Sequence, residues 1–206
     1  MPLLVSLVLL AQPQAIPEPR IVHAQQETRA VSSSLEREFR ALVQAQDRAA
    51  WIAYTVPRAP RGGDSCNHGI EAPPAGRAVM LEGGRQAVIL YRVERRQVVR
   101  IRAYAIDCEI DAGDLPLFWL TGVRPEDSVR LLDTFTRATG DSRMAQSLGT
   151  AAVYAIGAHA DPAVLDLLIM KARTEKVRAI QRAAFSAIGR LQDPRAFAFL
   201  QEIIGR

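Results

Sequence analysis

Lysine is almost absent from this chain of 206 residues, for only Lys171 and Lys176 are lysines among 26 basic side chains. The remaining arginines stand against 22 acids, for a formal net charge of +4. The two signs are interspersed along the chain, as a solvated surface requires, and a nucleic-acid groove needs them segregated. Nucleic acid is therefore not an expected partner. Apolar runs are short as well. The longest, at 3–11, has about ten residues, roughly half of what a bilayer-spanning helix requires, so no transmembrane span is expected. A run of that size fits the core of a signal peptide, with Ala11, Ala15 or Ala24 as small-residue cleavage points, although no Lys or Arg precedes it. The expectation is a leader over 1–24 and a periplasmic or secreted protein.

Cysteine is nearly missing too. Cys66 and Cys108 are the only two, an even number that suits an oxidising compartment. Closing the loop between them would stabilise the fold by about 4 kcal/mol on the chain-entropy model; two buried free thiols are the alternative. Catalytic signatures are lacking: there is no Gly-x-Ser-x-Gly, Cys-x-x-Cys, Cys-x-x-Cys-His or His-Glu-x-x-His. Cys66 and His68 lie too close in sequence to make a nucleophile and base readily, because catalytic partners usually come from separate elements. His23 falls within the leader, and His159 sits in an inter-helix turn where a solvated histidine is the ordinary reading. No catalytic residue and no cofactor are assigned.

What is present is periodicity. Residues 12–26 are rich in Pro and Gln and have no hydrophobic period, so they read as a linker. Leu35, Phe39, Leu42 and Val43 fall at helical spacing behind Ser34, which can cap the first turn. Residues 51–57 read as a strand, 58–77 as a long loop, and 78–81, 86–93 and 98–106 as further strands separated by turns. In the last of these Val99, Ile101, Ala103 and Ala105 share the buried face, while Arg100 and Arg102 lie on the other. Those two arginines, with Arg92, Arg95 and Arg96, form a basic patch suited to an acidic partner.

The segment 107–114 reads as irregular and acidic. Its Asp107, Glu109, Asp111 and Asp114 alternate like calcium ligands, but Ala112 and Phe118 occupy the positions where a calcium loop needs its glycine and its closing glutamate. They are weak metal candidates, and no metal is assigned. A metal-dependent or other enzyme centred on 58–77 and 107–114 is the alternative to a binding function.

From Pro125 onward the pattern is helical, and it repeats. Residues 151–157 and 183–189 are identical at five of seven positions at a spacing of 32, and Asp161-Pro162 and Asp193-Pro194 follow each glycine at the same distance. Each unit has an alanine-rich helix, a glycine to end it, an Asp-Pro start, and a bulky apolar second helix. These residues resemble the HEAT-like repeats of the phycobilin-lyase group, in which Arg-x-x-Ala-x-x-Ala-Leu-Gly precedes Asp-Pro. The copy at 182–194 carries Arg182, and the earlier copy has Thr150 at that place.

The first half, with Trp51-x-x-Tyr54-x-Val56-Pro57, a Gly-rich loop holding Cys66 and an acidic stretch holding Cys108, is similar to exported bacterial HEAT-repeat proteins. That resemblance implies export and a paired Cys66 and Cys108. The fold expected is thus α+β, a small antiparallel-sheet module with one N-terminal helix over 25–121, then a HEAT-like helical stack over 122–206. The expected role is non-catalytic binding of a protein partner in the cell envelope. Phe197, Phe199, Leu200 and Ile203 on the last helix, together with Arg100 and Arg102, are the candidate contacts, and the last helix is a possible homodimer face.

Overall fold

The computed structural model describes residues 19–60, 84–137 and 142–205. The expected strand at 78–81, Cys66, His68 and all but the first residues of the 58–77 loop lie outside these. The chain is α+β: a five-stranded mixed sheet carries six helices among the described residues. Strands β1 (Arg20–Ala30), β2 (Ala50–Pro57), β3 (Gln86–Glu94), β4 (Gln97–Ala105) and β5 (Glu109–Thr121) lie in the order β1-β5-β2-β3-β4. Strands β2, β3 and β4 form an antiparallel meander, whereas β5 is parallel to both β1 and β2.

The sheet is therefore not the purely antiparallel one expected, and two strands account for the difference. Arg20–Ala30 has no apolar alternation because it is an edge strand, largely exposed and held by its backbone bonds to β5. Residues 20–26, read from the sequence as linker, belong to this strand, and His23 lies within the sheet. Glu109–Thr121 is a strand disguised by a bulge. Its register with β1 shifts between Val22 and Ala24, where His23, Gly113 and Asp114 all take positive φ. Beyond the bulge Leu117, Phe118 and Leu120 are buried in the sheet. On either side of it Ile21, Ala24 and Ile110 pack with Ala53, Val88, Leu90, Ile106 and Leu117 in a second, smaller apolar cluster.

One face of the sheet carries the helices. Helix α1 (Leu35–Ala45) buries Leu35, Phe39, Leu42 and Val43 as its spacing predicts, although the Ser34 side chain makes no capping bond. Helices α2 (Pro125–Arg137), α3 (Arg143–Ile156), α4 (Ala163–Thr174), α5 (Arg178–Ile188) and α6 (Pro194–Ile204) follow. Asp161 accepts a bond from the Ala163 amide and Asp193 one from the Arg195 amide, so the two Asp-Pro starts are built alike. Gly157 and Gly189 end their helices with φ of −63° and −64°, a right-handed conformation that needs no glycine. What requires glycine is close approach: a Cβ on Gly149 would lie 2.6 Å from Ile180 Cδ1, and one on Gly157 would lie 3.1 Å from Ala187 Cβ. Helices α3 and α5 therefore cross at short range.

One apolar core joins sheet and helices. It runs from Leu35 and Phe39 through Ile52, Tyr54, Ile89, Tyr91 and Ile101 to Leu132, Ile156, Leu168, Ile188 and Phe199. The end of β2 is also bonded to the α3–α4 turn, since Ala59 donates to the Ala158 carbonyl at 2.8 Å and Ala160 donates to that of Pro57 at 2.9 Å. No helix among the described residues is long and apolar enough to cross a membrane.

Candidate functional site

Two buried polar clusters fix the helices to one another and to the sheet. In the first, His159 Nδ1 lies 2.8 Å from the Ala155 carbonyl, which can only accept, so this nitrogen carries the proton. Nε2 is then an acceptor, 2.8 Å from Ser128 Oγ; Ser128 in turn accepts from Tyr54, and Tyr54 from Tyr91, each at 2.8 Å. The direction of the whole chain follows from one backbone carbonyl. It is sealed, because Tyr54, Tyr91, Ser128 and His159 are all at most 1% exposed. Burial drives the imidazole pKa from 6.5 down to about 4 and raises both phenols. The histidine expected in solvent is thus a neutral internal strut. Its pairing with Ser128 suggests a nucleophile and base, but with the hydroxyl fully buried it serves packing.

The second cluster joins α2 to α4. Lys171 Nζ lies 2.5 Å from both Asp133 Oδ1 and Thr136 Oγ1, and Arg137 also reaches the Asp133 carboxylate. Burial pushes the Asp133 carboxyl up, but bonds from Lys171 and Arg137 prevail and hold it below the usual range. One of the only two lysines is therefore spent inside the fold.

The residues singled out in the sequence are dispersed. Phe199 is buried, stacked on Phe185 at 6.0 Å with Arg173 above its ring, and belongs to the core instead of a partner surface. Leu200 is half-buried, while Phe197 and Ile203 are exposed. Asp107, Glu109, Asp111 and Asp114 do not converge. Glu109 pairs with Arg20 at 3.0 Å, and Asp111 pairs with His23 at 3.2 Å. The Gly113 amide and then His23 hold the Asp111 carboxyl below its ordinary range. Among the described residues no three His, Cys, Asp or Glu side chains gather where an ion could be held. Cys108 is buried at the start of β5, beside a cavity of about 340 Å³ that also meets Arg100, Arg102, Trp51 and Tyr104.

Arg102 borders a second, larger space that the sequence did not indicate. A trough of about 600 Å³ lies between β4 and helices α3 and α5. Arg143, Gln146, Ser147, Thr150, Ala151 and Tyr154 line it from α3, and these positions recur at three- and four-residue intervals, which is one face of a helix. Ile101 and Arg102 close it on the sheet side, and Ala179 and Arg190 on the other. Among the described residues three arginines line the trough, and no carboxylate does. Arg190 is steadied by the ring of Tyr154, 5.3 Å away, and Arg102 by its bond of 3.2 Å to the Ile101 carbonyl. The face is polar, so no hydrophobic period marks it. Its only sequence trace is Thr150 standing where the repeat pattern carries arginine.

With this geometry in hand, comparison with known proteins adds no relative: no protein-family model, curated protein or solved structure matches the chain.

Chemically, the trough offers planar guanidinium forks for carboxylate or phosphate oxygens, an amide, hydroxyls and an apolar floor. Its described lining residues are thus donors suited to binding an anion.

Proposed function

We propose that this is a non-catalytic binding protein of the bacterial cell envelope, and that it holds an anionic ligand in the trough between β4, α3 and α5. The lining of one trough by Arg102, Arg143 and Arg190 from three parts of the chain, with no carboxylate among the described lining residues, carries this reading. Cations lining one concave site focus a positive potential within it, which attracts an anion. In this reading α3 to α6 form two HEAT-like units on an α/β base. The matched Asp-Pro starts and the close crossing of α3 on α5 support it.

Export belongs to the same proposal. Cleavage at Ala11 or Ala15 leaves β1 whole, whereas cleavage after Ala24 would remove its first residues, with the Arg20–Glu109 and His23–Asp111 pairs. A bridge from Cys66 to the buried Cys108 completes the reading. Mass spectrometry of the protein from periplasm is expected to give a mature N-terminus before Arg20 and a mass two hydrogen atoms below the dithiol form.

Calorimetric titration tests the ligand class. Citrate or a glutamate-rich hexapeptide is expected to bind, more weakly as salt rises. Charge-assisted bonds contribute about 1.5–3 kcal/mol each, so R143Q and R190Q should each weaken binding by roughly ten- to a hundredfold. No heat with either probe at low salt would sink the proposal.

A further inference from the structure

The cations of the trough are spread out instead of clustered. Arg143 and Tyr154 are eleven residues apart on α3, which at 1.5 Å per residue puts them about 16 Å apart along the helix axis. Arg190 stacks on Tyr154, so it marks the far end, and Arg143 marks the near one. Between them the face of α3 offers Gln146, Ser147, Thr150 and Ala151. We propose that the trough binds an extended acidic peptide segment, with one carboxylate at Arg143, another about five residues away at Arg190, and Arg102 flanking the stretch between. The inference rests on the anion-binding reading and specifies its ligand.

Spacing is the first argument. An extended chain advances about 3.3 Å per residue, so about 16 Å corresponds to roughly five residues. Successive side chains of an extended segment point to opposite sides, so two acids that face the trough together are about four or six residues apart, and those between need not be acidic.

The nature of the donors is the second argument. Compact anions such as phosphate are typically held by several backbone amides converging on one point, at a helix N-terminus or a nest. Here the donors are side chains distributed along a helix, over a floor that includes Ile101, Ala151 and Ala179. Such a floor suits the apolar body of a peptide. A hydroxyl or amide midway suits its backbone, which needs partners when it leaves water.

A series of capped peptides with two glutamates separated by zero to six serines tests the spacing, read by calorimetry with the full-length protein at fixed ionic strength. Affinity is expected to peak with three or five serines between the acids and to fall about tenfold or more at the shortest spacing. For the best peptide, R143Q and R190Q should each remove the spacing preference, because only one end is then held. R37Q on the exposed face of α1 serves as the control for non-specific attraction and should change nothing. Equal affinity across the series overturns the extended-peptide assignment, and so does citrate binding more tightly than every peptide, while both leave the anion site standing. Failure of citrate and of every peptide alike removes the anion site itself.

Discussion

The buried imidazole of His159 makes stability depend on pH in a window that can be stated in advance. Its pKa is about 4 in the folded protein and about 6.5 in an unfolded chain, so between these values the unfolded state binds a proton that the folded state refuses. Stability therefore rises with pH through the window, is fully present above about 6.5, and loses nothing more from this group below about 4. A shift of this size corresponds to about 3 kcal/mol, with a slope of at most one proton, about 1.4 kcal/mol per pH unit. The cost has a structural origin. Protonated Nε2 must donate, so Ser128 must turn its hydrogen to Tyr54, and Tyr54 must turn its own to Tyr91. The Tyr91 hydroxyl, with Tyr54 as its hydrogen-bond partner, then has no second acceptor among the described residues for its hydrogen. The shifted carboxyls Asp111, Asp127, Asp133 and Asp193 all lie below their ordinary value and so act at lower pH. Urea unfolding followed by circular dichroism from pH 7.5 to 4.5 should show the loss. H159Q, which keeps an acceptor without a titrating group, should be flatter over the same range. Constant stability of the parent protein, or the same slope in H159Q, would refute the assignment.

Other consequences follow from the same contacts. Y54F interrupts the chain in its middle and leaves Tyr91 without an acceptor, at a cost of about 1–3 kcal/mol; Y91F removes only the first donor, and chemical unfolding should rank it as the milder change. K171M strips the buried Asp133 of one cation and is expected to cost about 2–4 kcal/mol, with Arg137 remaining, whereas adding D133L should restore most of it in a double-mutant cycle. G149A places a methyl against Ile180 and should destabilise by about 1–3 kcal/mol by thermal unfolding, with I180V relieving part of the cost. Residues 122–206 expressed alone should be poorly folded or oligomeric, because Ser128 and His159 lose Tyr54 and the core loses its sheet; a monomeric fragment with sharp proton resonances would contradict this.

How far the sequence could be read depended on whether burial or backbone geometry shaped each element. Helix α1 and strand β4 were legible because one face of each is apolar and the other is not, and the buried face of β4 holds Ile101, Ala103 and Ala105 as its alternation requires; β2 and β3, buried on both faces, were legible as short β-branched and aromatic runs. Strand β5 was illegible because the bulge at Gly113 and Asp114 breaks its alternation at the point where the acidic residues suggest a loop. Strand β1 had no signal at all, for an exposed edge strand is specified by its neighbour. The polar clusters failed for a related reason: Asp133 and Lys171 are 38 positions apart, and pattern alone assigns both to solvent. Phe199 was misassigned because a terminal helix with many apolar residues looks unpartnered until its stacking on Phe185 is seen. The trough was unreadable as a site because an Arg, Gln, Ser, Thr and Tyr stripe on a helix has the composition of an ordinary solvated face.

The two kinds of contact have different work in shaping that trough. Its cations come from the sheet, from α3 and from beyond α5, so their separations depend on how α3 lies across β4. Apolar packing favours contact but is non-directional, and alone it tolerates small slides of one layer over another. Hydrogen bonds of 2.8 Å from Tyr54 through Ser128 to His159, and backbone bonds from Ala59 and Ala160 across to the α3–α4 turn, do not tolerate them. A slide of one ångström would leave buried polar atoms without partners, at a cost of about 1–3 kcal/mol each. The core thus supplies most of the cohesion, and the buried polar chain sets the register in which Arg102, Arg143 and Arg190 face one space.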